Sequence, residues 1–221
     1  MVAAKLAPQT PCLCLVTDRS LVRDGSLPGA VRQAVAGGVG MVQLRERDLP
    51  GGELLALAMN IKDGVGPDAL FIVNERADVA LACGADGVHL GEAAMPVPTV
   101  RSLVGDGMLI GRSVHSVEAA VRAKAEGADY LIIGTVFQTA SKAGLRPAGV
   151  ELLREVARAV SLPFLGIGGV STGNVGAVMA AGASGAAVVS AVLGSPDPTE
   201  AAHAIVAAMK GSEVGAPVAG S

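Results

Sequence analysis

The run VQLRERD (42–48) places Gln43, Arg45 and Arg47 at alternate positions. On a strand, alternate side chains share a face, so an amide and two guanidinium groups point one way and Leu44 the other. Two cations on an inner face are costly to desolvate unless an anion meets them. Arginine donates in a fork, so phosphate or diphosphate is the matching ligand. VFQTASKAG adds Thr139, Ser141 and Lys142: two hydroxyls, loop N–H groups and a cation, again an anion-binding set. GIGGVSTGN supplies Gly168 and Gly169, which allow close backbone approach, and VVSAVL supplies Val189 and Ser190. These residues imply two anion sites, one with Arg45, Arg47 and Lys142, the other with Gly169 and Ser190.

Two further runs stop on acids. FIVNE ends at Asn74-Glu75, and GVHLGE ends at Glu92. IGRSVHS brings Ser113, His115 and Ser116 to a strand-to-helix junction, where Ser116 is expected to cap the helix. His115 is expected to bond loop backbone, and His89 to be a satisfied core histidine. No Ser-His-Asp set and no Lys deep on a strand is visible. Two phosphorylated substrates, one with a diphosphate leaving group, account for both anion sites without a protein nucleophile.

Elements must bring these residues together. Eight short apolar runs qualify as strands: 12–18, 41–46, 70–75, 87–90, 109–114, 130–137, 163–169 and 185–193. Amphipathic, Ala-rich segments such as SVEAAVRAKAEG separate most of them. Strand-helix alternation implies parallel pairing, and a weak repeat (AGGVGMV, ACGADGVHL, AEGADYLI, AAGASGAAVV) marks helix-to-strand junctions where Gly can close the helix. The expected fold is α/β, a single (β/α)8 TIM barrel over 1–210, in preference to an open doubly wound sheet, since no dinucleotide loop follows the first strand. Residues 211–221 are expected to form a disordered tail. A barrel site lies at the carboxyl ends of the strands, where every residue above falls.

The chain has 221 residues, 51% hydrophobic, 2% aromatic, with a formal net charge of −3. A basic face for a nucleic-acid backbone is not expected, nor are stacking platforms, with no Trp. Apolar runs are too short for a membrane span. Cys12, Cys14 and Cys83 suit a reducing compartment, with the first two facing one side of a strand. The location expected is cytoplasmic, the partners two small phosphorylated substrates, with neither nucleic acid nor membrane, and a homo-oligomer is left open.

LVTDR, VQLRERD, VNERADVA, ADGVHLGE, IGRSVHS, GADYLIIGTVFQTASK, GIGG and AVVSAVL occur in that order over about residues 12–205. In these the sequence resembles the thiamine-phosphate synthase and thiazole tautomerase superfamily, more closely the synthase branch. The resemblance implies a transferase that joins a hydroxymethylpyrimidine diphosphate to a thiazole phosphate, with Mg²⁺ and cations holding the departing diphosphate. It implies Gln43, Arg45, Arg47, Asn74, Ser113 and Lys142 for the pyrimidine diphosphate, with Arg45, Lys142 and Ser113 catalytic. It implies Thr139, Ser141, Gly169, Val189 and Ser190 for the thiazole phosphate. Arg47 stands where Lys is usual, Glu75 where one metal-binding Asp is usual, and Ala94 where a second is. Glu75 is thus the implied metal ligand, with Glu92 as a doubtful stand-in for the missing acid. The alternatives are a tautomerase-like isomerase, whose proton-shuttling His is replaced by Thr135, and a non-catalytic barrel that binds phosphorylated ligands.

Overall fold

The computed structural model describes residues 11–22, 26–67, 69–139, 144 and 146–211. Eight strands form in chain order: β1 Cys12–Val16, β2 Met41–Leu44, β3 Leu70–Asn74, β4 Gly87–Leu90, β5 Leu109–Val114, β6 Tyr130–Gly134, β7 Phe164–Ile167 and β8 Gly185–Val188. All neighbours are parallel, and β8 pairs with β1 through Cys14↔Ala187 and its flanking positions, closing the barrel. Around it lie α1 Leu27–Ala36, α2 Gly51–Val65, α3 Ala77–Cys83, α4 Val97–Val104, α5 Val117–Ala125, α6 Gly149–Ala159, α7 Val175–Ala180, the short α8 Ser190–Leu193, and α9 Pro198–Gly211.

Strand alternation divides the core in two. Cys12, Cys14, Val16, Met41, Leu70, Ile72, Leu109, Tyr130, Ile132, Leu165 and Ala187 fill the barrel interior. The outward set, with Leu13, Leu15, Val42, Leu44, Phe71 and Val73 among it, packs against the helices. Both faces of each strand are therefore buried, which is why the runs read as continuously apolar. Cys12 and Cys14 do share a face, the interior one, where burial pushes the Cys12 thiol up to about 12.

The junction repeat has a physical basis. Gly38, Gly84, Gly127 and Gly182 all take positive φ between a helix and the next strand. In the two Gly-Ala-Asp copies the aspartate then reaches the preceding strand: Asp86 Oδ2 accepts from the Phe71 N–H at 3.0 Å, and Asp129 Oδ2 from the Ile110 N–H at 2.7 Å. Asp129 also binds Arg101 at 2.6 Å.

Six of the eight runs were read too long: those of β1, β3 and β7, which overshoot by one to three residues, and those of β2, β6 and β8. β2 ends at Leu44, β6 at Gly134 and β8 at Val188. β8 stops because its ladder partners run out, at Ile167↔Ala187 on one side and Leu15↔Val188 on the other. Local helical bonding replaces the ladder, with the Leu193 N–H on the Val189 carbonyl at 3.0 Å. Ser190 is therefore the first residue of α8 and not part of the last strand.

Candidate active site

The β1–β2 corner is built around a buried carboxylate. Glu46 is 5% exposed. Its Oε1 accepts from the Thr17 hydroxyl at 2.7 Å and from the Arg19 N–H at 3.1 Å, and its Oε2 from Arg19 Nη1 at 3.0 Å. Thr17 Oγ1 in turn accepts the Arg45 N–H at 2.9 Å. Arg19 also binds Asp48, and this contact holds the Asp48 carboxyl below its usual range. Turning Glu46 inward breaks the alternation expected of Gln43, Arg45 and Arg47. Gln43 is buried inside the barrel, while Arg45 and Arg47 are exposed on the loop beyond the strand.

The two arginines part company there. Arg47 lines a cleft of about 440 Å³ with Leu44, Glu46, Asn74, Glu75, Arg76 and Ala94. Arg45 lines a second cavity, of about 260 Å³, with Thr17, Thr139, Gly168, Gly169, Val189 and Ser190. Both also border the open groove along the Asp18–Ser20 turn, so the β2 loop stands between the two cavities. Among the described residues the Arg45 guanidinium has no hydrogen-bond or ion-pair partner. Although the residue is exposed, partial desolvation of the guanidinium, and then Arg47, lower its pKa, an environment that an anion would relieve.

At the end of β3, Asn74 Oδ1 accepts from Gln43 Nε2 at 3.3 Å. Glu75 follows at φ +61, unusual for a residue with a side chain. Its N–H reaches the His89 carbonyl at 2.9 Å, and the Arg76 N–H closes on the Asn74 carbonyl at 2.8 Å. The carboxylate projects into the cleft, where Oε1 meets Arg47 Nη2 at 2.9 Å. It also lies over Gly91, where any side chain would collide with it. Glu92 is not brought to this cleft: its Oε2 pairs with His115 Nδ1 at 2.8 Å, on the far side of the β4 loop. His115 thus bonds a carboxylate where loop backbone was expected. Arg112 ties the same loop down through the Glu92 and Met95 carbonyls, each at 3.0 Å. Among the described residues no three His, Cys, Asp or Glu side chains gather as a ready metal cage.

The floor of the mouth is a polar chain. Ser113 Oγ lies 2.8 Å from His89 Nε2, and His89 Nδ1 lies 3.3 Å from the Tyr130 hydroxyl. His89 is a satisfied core histidine, as its strand position implied. Ser116 Oγ caps α5 by accepting the Ala119 N–H at 3.2 Å.

The second cavity is shaped by glycines. Gly168 and Gly169 have φ of +102 and +63. A Cβ on Gly169 would come within 2.9 Å of Phe137 Cβ. Asn174 clamps this turn, donating from Nδ2 to the Gly169 carbonyl at 2.8 Å and accepting the Ser171 N–H at 2.8 Å. Val189 and Ser190 enter from the first turn of α8, whose leading N–H groups have no partner inside the helix. Thr139 completes the wall, while Ser141 and Lys142 lie outside the described residues.

Thr17, Glu46, Arg19, Gly91 and Asn174 are structural supports that the sequence reading did not assign. A Glu between two site arginines was the available signal for the first three; nothing in the sequence reports the close approach of the Glu75 carboxylate to Gly91.

A family model described as thiamine monophosphate synthase matches residues 13–192. A thiamine-phosphate synthase of Methanoculleus marisnigri is 49% identical over 195 residues, 87% of this chain and 92% of that protein. One from Chlorobium luteolum is 42% identical over 211 residues, 95% and 98% of the two chains. The solved structure of a thiamine phosphate pyrophosphorylase from Pyrococcus furiosus superposes with a TM-score of 0.85 at 35% identity, covering 96% of this chain and 99% of that one. A 3-hexulose-6-phosphate synthase at 22% identity, TM-score 0.68, shares the fold. With a family model across most of its length and such relatives over nearly the whole of theirs, the chain belongs to the thiamine monophosphate synthase family.

Proposed function

We propose that the chain joins 4-amino-2-methyl-5-hydroxymethylpyrimidine diphosphate to thiazole phosphate with release of diphosphate, the thiamine-phosphate synthase reaction. The observation that carries this reading is the pair of polar cavities in one barrel mouth, separated by the Arg45–Arg47 loop. The cleft with Arg47, Asn74 and Glu75 suits the diphosphate. The glycine-lined cavity with Thr139, Gly169, Val189 and Ser190 suits the thiazole phosphate, in the position where barrels often bind phosphate. Arg45 borders the latter and faces the shared groove, placed to draw charge from both substrates.

In this scheme the pyrimidine methylene C–O bond breaks with its electron pair leaving on diphosphate. The thiazole nitrogen then supplies the pair for the new C–N bond. No proton transfer to the protein is needed. Arg45, Arg47, Ser113 and, by family resemblance, Lys142 stabilise the departing charge, which is the dominant form of catalysis for such a step. Gln43 and Asn74 offer the amide groups that orient the pyrimidine. Mg²⁺ fits Glu75 in one respect: Oε1 is engaged by Arg47, while Oε2 has no partner among the described residues. When bound, the metal would neutralise diphosphate charge, and one carboxylate with substrate oxygens and waters suffices for Mg²⁺.

An isomerase needs a proton shuttle near neutral pH. Among the described residues neither cavity is lined by histidine, and Thr135 occupies the second cavity's wall. This favours the synthase over the tautomerase. No helix among the described residues is long and apolar enough to cross a membrane. A cytoplasmic location suits three cysteines that are all free thiols.

The test is direct assay. Purified protein with both substrates and Mg²⁺ is expected to form thiamine phosphate and diphosphate in equal amounts. Absence of product at every Mg²⁺ concentration, with the thiazole carboxylate phosphate isomerised without metal, would overturn the reading in favour of the tautomerase. Ligand binding without either product would favour a non-catalytic barrel.

A further inference from the structure

The polar chain below the mouth has a direction. His89 is 2% exposed and Tyr130 1%, and both lie inside the barrel. Around Tyr130 the interior is Cys12, Cys14, Leu109, Ile132 and Leu165. Gly111 makes the pairing possible: a Cβ there would sit 2.5 Å from His89 Nδ1 and press into the Tyr130 ring. Among the described residues no carboxylate touches the imidazole, while Arg112 and Arg45 lie close enough to disfavour a second proton. His89 is therefore neutral, with one N–H and one bare nitrogen.

Which nitrogen carries the proton follows from counting donors. A buried phenol must donate its proton to something. Among the described residues the Tyr130 hydroxyl has a single hydrogen-bond neighbour, His89 Nδ1. Nδ1 is thus the acceptor, and the imidazole proton sits on Nε2. Nε2–H then donates to Ser113 Oγ at 2.8 Å. Once protonated, Nε2 cannot accept from Ser113, so the Ser113 proton is free to point toward the mouth. The opposite tautomer would strand the Tyr130 proton in an apolar interior and spend the Ser113 proton on Nε2.

We infer that Tyr130 and His89 are positioning residues that turn the Ser113 hydroxyl into a donor aimed at the bound diphosphate. The identity of the anion rests on the proposed function; the direction of the chain does not. A phenol at the depth of the barrel thereby sets the polarity of a hydroxyl at its mouth, two hydrogen bonds away.

Two measurements test this on the whole chain. Nitrogen-15 NMR of labelled histidine is expected to show His89 with Nε2 protonated and Nδ1 bare near neutral pH, and to lose that preference in Tyr130→Phe, which keeps the ring. Affinity for inorganic pyrophosphate with Mg²⁺ is then compared in a cycle. Tyr130→Phe is expected to weaken binding about threefold to tenfold in the parent, the scale of one hydrogen bond to a charged group, and not at all in the Ser113→Ala background. Protonation on Nδ1 in the parent would overturn the inference. So would an equal loss in both backgrounds, since a merely structural effect of Tyr130 does not depend on Ser113. If the parent fails to bind pyrophosphate, the diphosphate reading falls and with it the role of Ser113 toward that anion, while the spectrum still upholds or overturns the chain's direction.

Discussion

Glu75 shows how much one backbone angle decides at the residue scale. Its φ of +61 costs about 1 kcal/mol or more for a residue with a Cβ. The turn is kept by the Arg76 N–H on the Asn74 carbonyl. Its effect is to lay the carboxylate across Gly91 beside Arg47. Gly91→Ala is therefore expected to displace the carboxylate and raise the Mg²⁺ concentration for half-maximal turnover about tenfold, the usual scale for disturbing a ligand's support. Glu75→Gln should do the same without moving the backbone. A Mg²⁺ titration in which both variants match the parent would remove Glu75 as a ligand. Arg45→Ala is expected to lower kcat/KM about 100-fold, as loss of one preorganised charge does; steady-state kinetics with each substrate varied in turn measures it. Residue types in VQLRERD carried the expectation of anion binding, but their distribution between two cavities was not legible. Alternation holds only while a ladder partner continues, and β2 pairs with β3 no further than Leu44↔Val73.

At the scale of elements, the site depends on how loops are tied to strand ends. The Thr17–Glu46–Arg19 knot fastens the loop after β1 to the loop after β2. Glu46→Ala would leave the Thr17 O–H without its acceptor and one side of Arg19 unpaired, while Thr17 Oγ1 keeps the Arg45 N–H. Since Arg19 is itself partly exposed, the expected loss is about 2 kcal/mol, toward the lower side for a broken buried pair. The Thr17 hydroxyl that holds the Arg45 N–H would then be free to rotate, so chemical denaturation and pyrophosphate affinity should both report the change. At the opposite end of the barrel, Asp129→Ala removes the acceptor of the Ile110 N–H and the carboxylate partner of Arg101, which keeps the Gly105 and Met108 carbonyls. A loss of about 2 kcal/mol is expected there with turnover unchanged. The strand-helix alternation and the glycine junctions were legible because both are local properties of the chain. The role of the junction aspartates was not, because each acts on a strand about 15 to 19 residues earlier.

For the whole molecule, the polar interior links stability to pH. Burial first, then Arg112 and Arg45, push His89 down to about 3. Above about pH 6.5 native and unfolded chains both hold a neutral imidazole, and the residue has no effect on the pH dependence. Between about 6.5 and 3 the unfolded chain takes up a proton that the native chain refuses, so stability falls as pH falls. At about pH 4.5 this residue alone costs on the order of 3 kcal/mol. Urea unfolding at about pH 7 and pH 4.5 should show the loss, and His89→Gln should flatten that part of the profile; an unchanged slope in the variant would assign the acid sensitivity to other groups. The sequence by itself determined the barrel and its order, because eight apolar runs separated by amphipathic helices leave few other ways to bury both faces of each strand. It also carried the expectation that the mouth takes phosphates, since Arg, Lys, Ser, Thr and Gly gather at strand ends. Only the tertiary structure decided which cavity each arginine lines, that Glu46 turns inward, that Glu92 belongs to His115, and which way the Tyr130–His89–Ser113 chain points. Those outcomes depend on where ladders end and on which buried groups find partners across the barrel, and neither is written in the spacing of residues along one strand.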